Sequence, residues 1–111
     1  MEYTHVSDDL AVGPQVTLQD LPALAAAGFA GIINNRPDHE GPDQPTSLEL
    51  ERAARNQGLA YWYIPVVPGE MSEDDVRAFA SAVSTADGPV LAFCRTGNRA
   101  AALWKAVQER D

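Results

Sequence analysis

The chain reads as a single-domain α/β protein, a mostly parallel sheet flanked by helices and preceded by an N-terminal β-hairpin. Three observations predict this. From Phe29 onward, β-prone apolar runs alternate with amphipathic stretches in the order strand, helix, strand, helix, strand, helix, an order that calls for parallel strands joined by crossover helices. The 111 residues suffice for one hydrophobic core and are too few for two, so residues 1–111 form one domain. The helices also carry their own start signals: Thr46 with Glu49, and Ser72 with Asp75, are capping boxes, each pairing a hydroxyl with an acid three residues on.

The elements follow in order. Tyr3 to Val6 and Leu10 to Val12 are short β-prone runs around Ser7-Asp8-Asp9, a turn sequence that predicts an edge hairpin. Thr17 with Asp20 opens a helix that Gly28 closes; Pro22 fits poorly in its fifth position, so a start at Asp20 is the alternative. Phe29 to Asn35 is apolar and branched at its centre and reads as an interior parallel strand. The loop from Arg36 to Pro45 holds three prolines and admits little regular structure. Thr46 then starts a helix that Gly58 ends, and Leu59 to Val67 (LAYWYIPVV) reads as a third strand whose tyrosines and tryptophan serve sheet packing. Ser72 starts a helix reaching about Val83; Asp87-Gly88-Pro89 turns the chain into Val90 to Phe93, a short buried strand; Asn98 begins the last, amphipathic helix.

Composition narrows the function. Hydrophobic residues at 45% and charged residues at 22% are ordinary for a soluble globular protein. A net charge of −8 argues against nucleic acid, whose phosphates most of the surface would repel. No stretch is apolar for long enough to span a bilayer, and Met1 to Asp20 lacks the basic start and apolar centre of a signal peptide, so no membrane partner is expected and the cytoplasm is the expected compartment. One cysteine and two histidines, His5 and His39, make neither a disulfide framework nor a metal-ligand spacing, and no dinucleotide or Walker fingerprint is present. No metal and no cofactor are expected.

The chemistry concentrates in VLAFCRTGNRA, Val90 to Ala100. Cys94 stands where a strand ends and a helix is about to begin. Arg95 and Arg99 are permanent cations, Gly97 lets the backbone curl, and the first amides of the coming helix face back into the loop. No carboxylate lies between Pro89 and Lys105. Such surroundings favour a thiolate and cradle an oxyanion. Cys94 is therefore either a nucleophile toward a small anionic or sulfur-bearing substrate or a small core hydrophobe, and the glycine and two arginines beside it favour chemistry. Arg95, Thr96, Gly97, Asn98 and Arg99 are the expected anion-binding residues. In such sheets ligands bind beyond the carboxyl ends of the strands, so the loops Arg36 to Pro45, Pro68 to Met71 and Cys94 to Arg99 should gather there. Asp38, His39, Glu40, Glu70 and Asp74 could each donate a proton to a leaving group, with Asp38 and Glu70 the candidate general acids; Arg36 could reach the anion pocket or be an ordinary exposed arginine. Each acid has a simpler use in capping or solvation.

INNRPDHEGPDQP, YIPVVPGEMSEDDV and PVLAFCRTGNRAAALW resemble the phosphatase-like domain family first named for its fusion to beta-lactamase-like hydrolases, also labelled a sulfur transferase family. The resemblance runs from about Val6 to Val107. It implies a fold like the cysteine-based dual-specificity phosphatases, with an anion-binding loop after the last parallel strand. The phosphatase signature has histidine before the cysteine and arginine six positions after it; here those places hold Phe93 and Ala100, and arginine comes five positions after, at Arg99. CRTGNR is similar to the active loop of rhodaneses, the sulfurtransferases that carry a persulfide on cysteine. A loop shorter by one residue leaves less room for a phosphoryl group beside the sulfur. The leading expectation is a cysteine-dependent sulfurtransferase with Cys94 and Arg99 catalytic. The alternatives are a cysteine-dependent phosphatase using Asp38 or Glu70 as acid, and a non-catalytic anion-binding module. Sequence alone leaves donor, acceptor and oligomeric state open.

Overall fold

The computed structural model of the protein describes residues 1–110. Strands β1 (Thr4–His5) and β2 (Leu10–Gly13) form the expected antiparallel pair. Strands β3 (Gly31–Asn34), β4 (Ala60–Tyr63) and β5 (Val90–Phe93) complete a five-stranded sheet in the order β1-β2-β5-β3-β4, parallel everywhere except at β1. Helices α1 (Leu21–Ala26), α2 (Ser47–Asn56), α3 (Glu73–Thr85) and α4 (Asn98–Glu109) cover it. No helix among the described residues is long and apolar enough to cross a membrane.

Both readings of the first helix are realised in part. Thr17 caps a single 3-10 turn, Leu18–Asp20, through a capping box with Asp20, and α1 follows with Pro22 in its first turn. There proline's missing N–H has no intrahelical acceptor to lose. The capping boxes Thr46/Glu49 and Ser72/Asp75 form as the sequence predicts.

Strand alternation divides the core. Leu10, Val12, Ile33, Val90 and Ala92 face α3 and α4 with Val76, Phe79, Ala100 and Leu103. Ala11, Ile32, Leu91 and Phe93 face α1 and α2 with Leu21, Leu24, Leu50 and Tyr61. With both faces covered, central β5 is fully buried along its length, which explains a run of apolar residues with no alternation.

The stretch Leu59 to Val67 is shorter as a strand than its composition suggests: only Ala60–Tyr63 joins the ladder. Beyond it, Ile64 and Val66 still donate to the carbonyls of Asn34 and Asn35 at 2.9 and 3.0 Å, but Pro65 between them has no N–H, so regular pairing stops. Tyr61 is buried in the sheet packing as expected, whereas Tyr63 is exposed at the sheet edge; the polar ends of both are satisfied. Tyr61 Oη accepts from Asn34 Nδ2 (2.9 Å) and bonds Ser47 Oγ (2.8 Å), and Tyr63 Oη accepts the amide of Asp38 at 2.9 Å.

Candidate active site

The carboxyl ends of β2, β3 and β5 are stitched together just past the ladder. Asn35 N donates to Phe93 O (2.8 Å), Cys94 N to Gly13 O (3.4 Å) and Gln15 N to Arg95 O (3.3 Å). These bonds hold the segments that follow β2, β3 and β5 side by side. A cleft of about 690 Å³ opens there, walled by Arg36, Pro37, Asp38, Glu40, Gly41 and Pro42, by Val67 and Pro68, and by Arg95 and Arg99. The convergence expected of the sheet is therefore present.

Cys94 is fully buried beneath its loop, and of the expected anion-binding residues only Arg95 and Arg99 line the cleft, whereas Thr96, Gly97 and Asn98 line a separate pocket beside Gly13 and Tyr3. Gly97 caps α4 with φ +96°, and its amide donates to Cys94 Sγ at 3.1 Å. The loop dipole thus points at the sulfur, as the sequence predicts, although Cys94 is not itself among the cleft-lining residues. Asn98 N turns back to Thr96 Oγ1 at 3.3 Å, which closes the loop on itself. Gly97 is also where two backbones meet: a Cβ there would stand 3.3 Å from both the carbonyl carbon and oxygen of Gly13.

One expectation is corrected. The bowl around the sulfur is not purely positive, because Glu40 reaches into it from the first loop. Arg99 Nη1 and Nη2 each donate to a Glu40 oxygen at 2.7 Å, a forked pair, while Arg99 Nη1 also donates to Val66 O at 3.0 Å. Arg36 Nε donates to the same Glu40 carboxylate at 3.0 Å, and its Nη1 to Gln15 Oε1 at 2.9 Å. Arg36, only 8% exposed, is thus a wall of the cleft and not a solvated side chain. Hydrogen bonding from Arg99, and then from Arg36, holds Glu40 below the ordinary carboxylate range, against the opposing effect of burial. Its bonds to Glu40 raise Arg99 above the ordinary arginine value, with a smaller contribution from the nearby Cys94.

The candidate acids fare differently. Asp38 lines the cleft, but its Oδ1 accepts the amide of Ser47 at 2.8 Å, the first residue of α2. That is the helix-capping use of an acid. Glu70 is exposed and is not among the cleft-lining residues. Glu40, Gln15 and the Val66 carbonyl complete the arrangement. Nothing local in the sequence signals Gln15 or Val66, and Glu40 shows only as an acid four residues after Arg36.

The lowered Glu40 value has a consequence for acid stability. A carboxylate held below its unfolded value stabilises the fold fully above that value, near 4.5, and the contribution is lost as pH falls from there through the lowered folded value. Thermal melts between neutral pH and about pH 3 should therefore show Glu40→Gln with a shallower acid-induced loss than wild type. Parallel acid slopes for the two proteins would contradict the pairing.

Fold and site together define a cysteine-loop α/β domain of the phosphatase-like class. The model for the family "Beta-lactamase hydrolase-like protein, phosphatase-like domain" matches residues 2–110, and the chain belongs to that family. Among curated relatives, the beta-lactamase hydrolase-like protein of Agrobacterium fabrum is 39% identical over 104 residues, covering 94% of this chain and 24% of that protein. The chain thus spans about a quarter of the length of the curated relatives it matches. A solved phosphatase-like protein of Neisseria meningitidis Z2491 superposes with TM-score 0.86 at 31% identity, over 97% of this chain and 79% of that one. The core catalytic domain of the PP-IP phosphatase SIW14 from S. cerevisiae superposes with TM-score 0.72 at 14% identity, over 96% of this chain and 64% of that one, a likeness of fold alone. The family and the Neisseria protein favour the phosphatase alternative of the sequence reading over sulfur transfer.

Proposed function

We propose that the chain is a cysteine-dependent group-transfer enzyme for small oxyanions, and that the group it moves is sulfane sulfur. The observation that carries the choice of sulfur is the employment of the acids: Asp38 caps α2, and Glu40 is an ion-paired anion between two arginines. Phosphate ester cleavage expels an alkoxide or phenoxide, which calls for a proton donor at the leaving oxygen. Sulfur transfer from thiosulfate expels sulfite, which leaves as a stable anion and needs none.

In this reading Cys94 thiolate attacks the outer sulfur of thiosulfate. The new S–S bond forms as the old one breaks, and sulfite departs with the electron pair, leaving Cys94 as a persulfide anion. A thiolate or cyanide then attacks the outer persulfide sulfur, producing a new persulfide or thiocyanate and restoring the Cys94 thiolate. The Gly97 amide supports the anionic sulfur. Arg99 holds the oxyanion end, with Arg95 beside it on the cleft wall, and Thr96 and Asn98 keep the loop closed.

The second reading, a cysteine-dependent phosphatase passing through a Cys94 thiophosphate, draws its support from the family and the solved relatives. One pair of assays separates the two. Thiosulfate with cyanide should yield thiocyanate, while an aryl phosphate should be hydrolysed no faster than without protein. Aryl phosphate hydrolysis without thiocyanate formation would reverse the assignment, and neither activity would leave the anion-binding module.

A further inference from the structure

The forked grip of Arg99 on Glu40 is the geometry in which an arginine holds a substrate oxyanion, and here a residue of the chain already fills it. The contact is built in. Both arginines are anchored from behind, Arg36 by Gln15 and Arg99 by the Val66 carbonyl, so neither is free to follow a departing carboxylate. The loop is wrapped tightly on Arg36: a Cβ at Gly41 would stand 2.7 Å from Arg36 Nη2. His39, immediately before Glu40, has φ +64°. A non-glycine residue is strained there, and the two ion pairs of Glu40 hold the loop in that conformation.

We propose that Glu40 is the specificity-determining residue of the anion site: it competes for Arg99 from within, and it weakens the hold on dianions, phosphomonoesters and thiosulfate alike, more than the hold on singly charged anions. An incoming anion that takes Arg99 leaves Glu40 on Arg36 alone, because Glu40 Oε1 already bridges the two arginines at 3.0 and 2.7 Å. The displaced carboxylate then stands beside the bound ligand. A monoanion, such as an organic persulfide or thiosulfonate, meets one adjacent negative charge with its own single charge. A dianion meets it with two, and like charges packed in a partly desolvated cleft discriminate strongly. The inference rests on the reading that Arg99 is the anion holder and deepens the proposed substrate class.

The test is calorimetric binding at low salt and pH 8 of two probes, inorganic phosphate as the dianion and methanesulfonate as the monoanion, to wild type, Glu40→Gln and Glu40→Ala. Removing an internal competitor raises apparent affinity by the reciprocal of the fraction of sites it had left open. Both variants should bind phosphate about tenfold more tightly or better, and methanesulfonate with a clearly smaller gain. Equal gains for the two probes would overturn the selection, and unchanged or weaker phosphate binding in both variants would overturn the competition as well. Persulfide formation from thiosulfate, read by mass on the same proteins, separates this from the choice of transferred group. Tighter phosphate binding without a persulfide would leave the Glu40 inference standing and remove sulfur transfer. A persulfide in wild type with no gain in phosphate binding would do the reverse.

Discussion

Cys94→Ser is expected to leave a folded protein that has lost at least about a thousandfold of its transfer rate. The fold should survive because the change is small and the Gly97 amide, which donates to the sulfur at 3.1 Å, can donate to a hydroxyl oxygen equally well. The rate should not, because a serine hydroxyl is not ionised near neutral pH and a serine carrying sulfur has no counterpart to the persulfide. Melting and turnover measured together check both halves. A variant that keeps its melting temperature and its thiocyanate production would remove Cys94 from the chemistry; one that unfolds would make it the core hydrophobe of the simpler reading.

Gly97→Ala should be the most damaging single-atom-group change in the loop. The backbone at φ +96° lies outside the region that L side chains tolerate, at a cost of about 1–2 kcal/mol. The new methyl would also press on the backbone of Gly13, 3.3 Å away, where no side chain can rotate aside. A domain of this size should lose roughly 5–10 °C in melting temperature from the conformational term alone. Relief of the strain would turn the amide away from Cys94 and slow transfer as well. The control is Thr96→Ser, which keeps the hydroxyl that Asn98 N donates to and should be close to neutral. A Gly97→Ala protein with wild-type stability and rate would show that neither the turn nor its amide matters.

Most of the fold is written in local sequence. Thr46/Glu49 and Ser72/Asp75 form their capping boxes from neighbours three residues apart, and Val90 to Phe93 needs only its own apolarity to be read as buried. Cys94, Gly97 and Arg99 were legible for the same reason, since they lie within one loop. The strand in LAYWYIPVV was over-read because composition favours β structure through Val67 while a single proline ends the ladder. Glu40 was legible only as an acid in a loop. Its partner Arg99 is 59 residues away in sequence, and which acid of Asp38, Glu40 and Glu70 enters the cleft depends on how the loop Arg36 to Pro45 folds back on itself, through His39 at positive φ and Gly41 against Arg36. Sequence gives charge to the near neighbours of a cysteine with ease; it does not give the charge that tertiary folding brings in.

Arg36 teaches the same point in the opposite sense. Exposed arginines are common, and nothing in its sequence neighbourhood decides between a surface cation and a pocket residue. The Asn34 side chain, which accepts the Arg36 amide at 2.9 Å, and the Gln15 side chain together bend it inward, so that it is nearly as buried as the core beneath it.

The account turns on whether the sulfur of Cys94 accepts and carries another sulfur atom. Intact mass of the purified protein after thiosulfate, followed by cyanide, measures this directly. The expected result is a gain of one sulfur atom, mapped to the peptide that holds Cys94, removed by cyanide and absent from Cys94→Ser; an unchanged mass with thiosulfate, or a phosphoryl gain at Cys94 from an aryl phosphate, would contradict it.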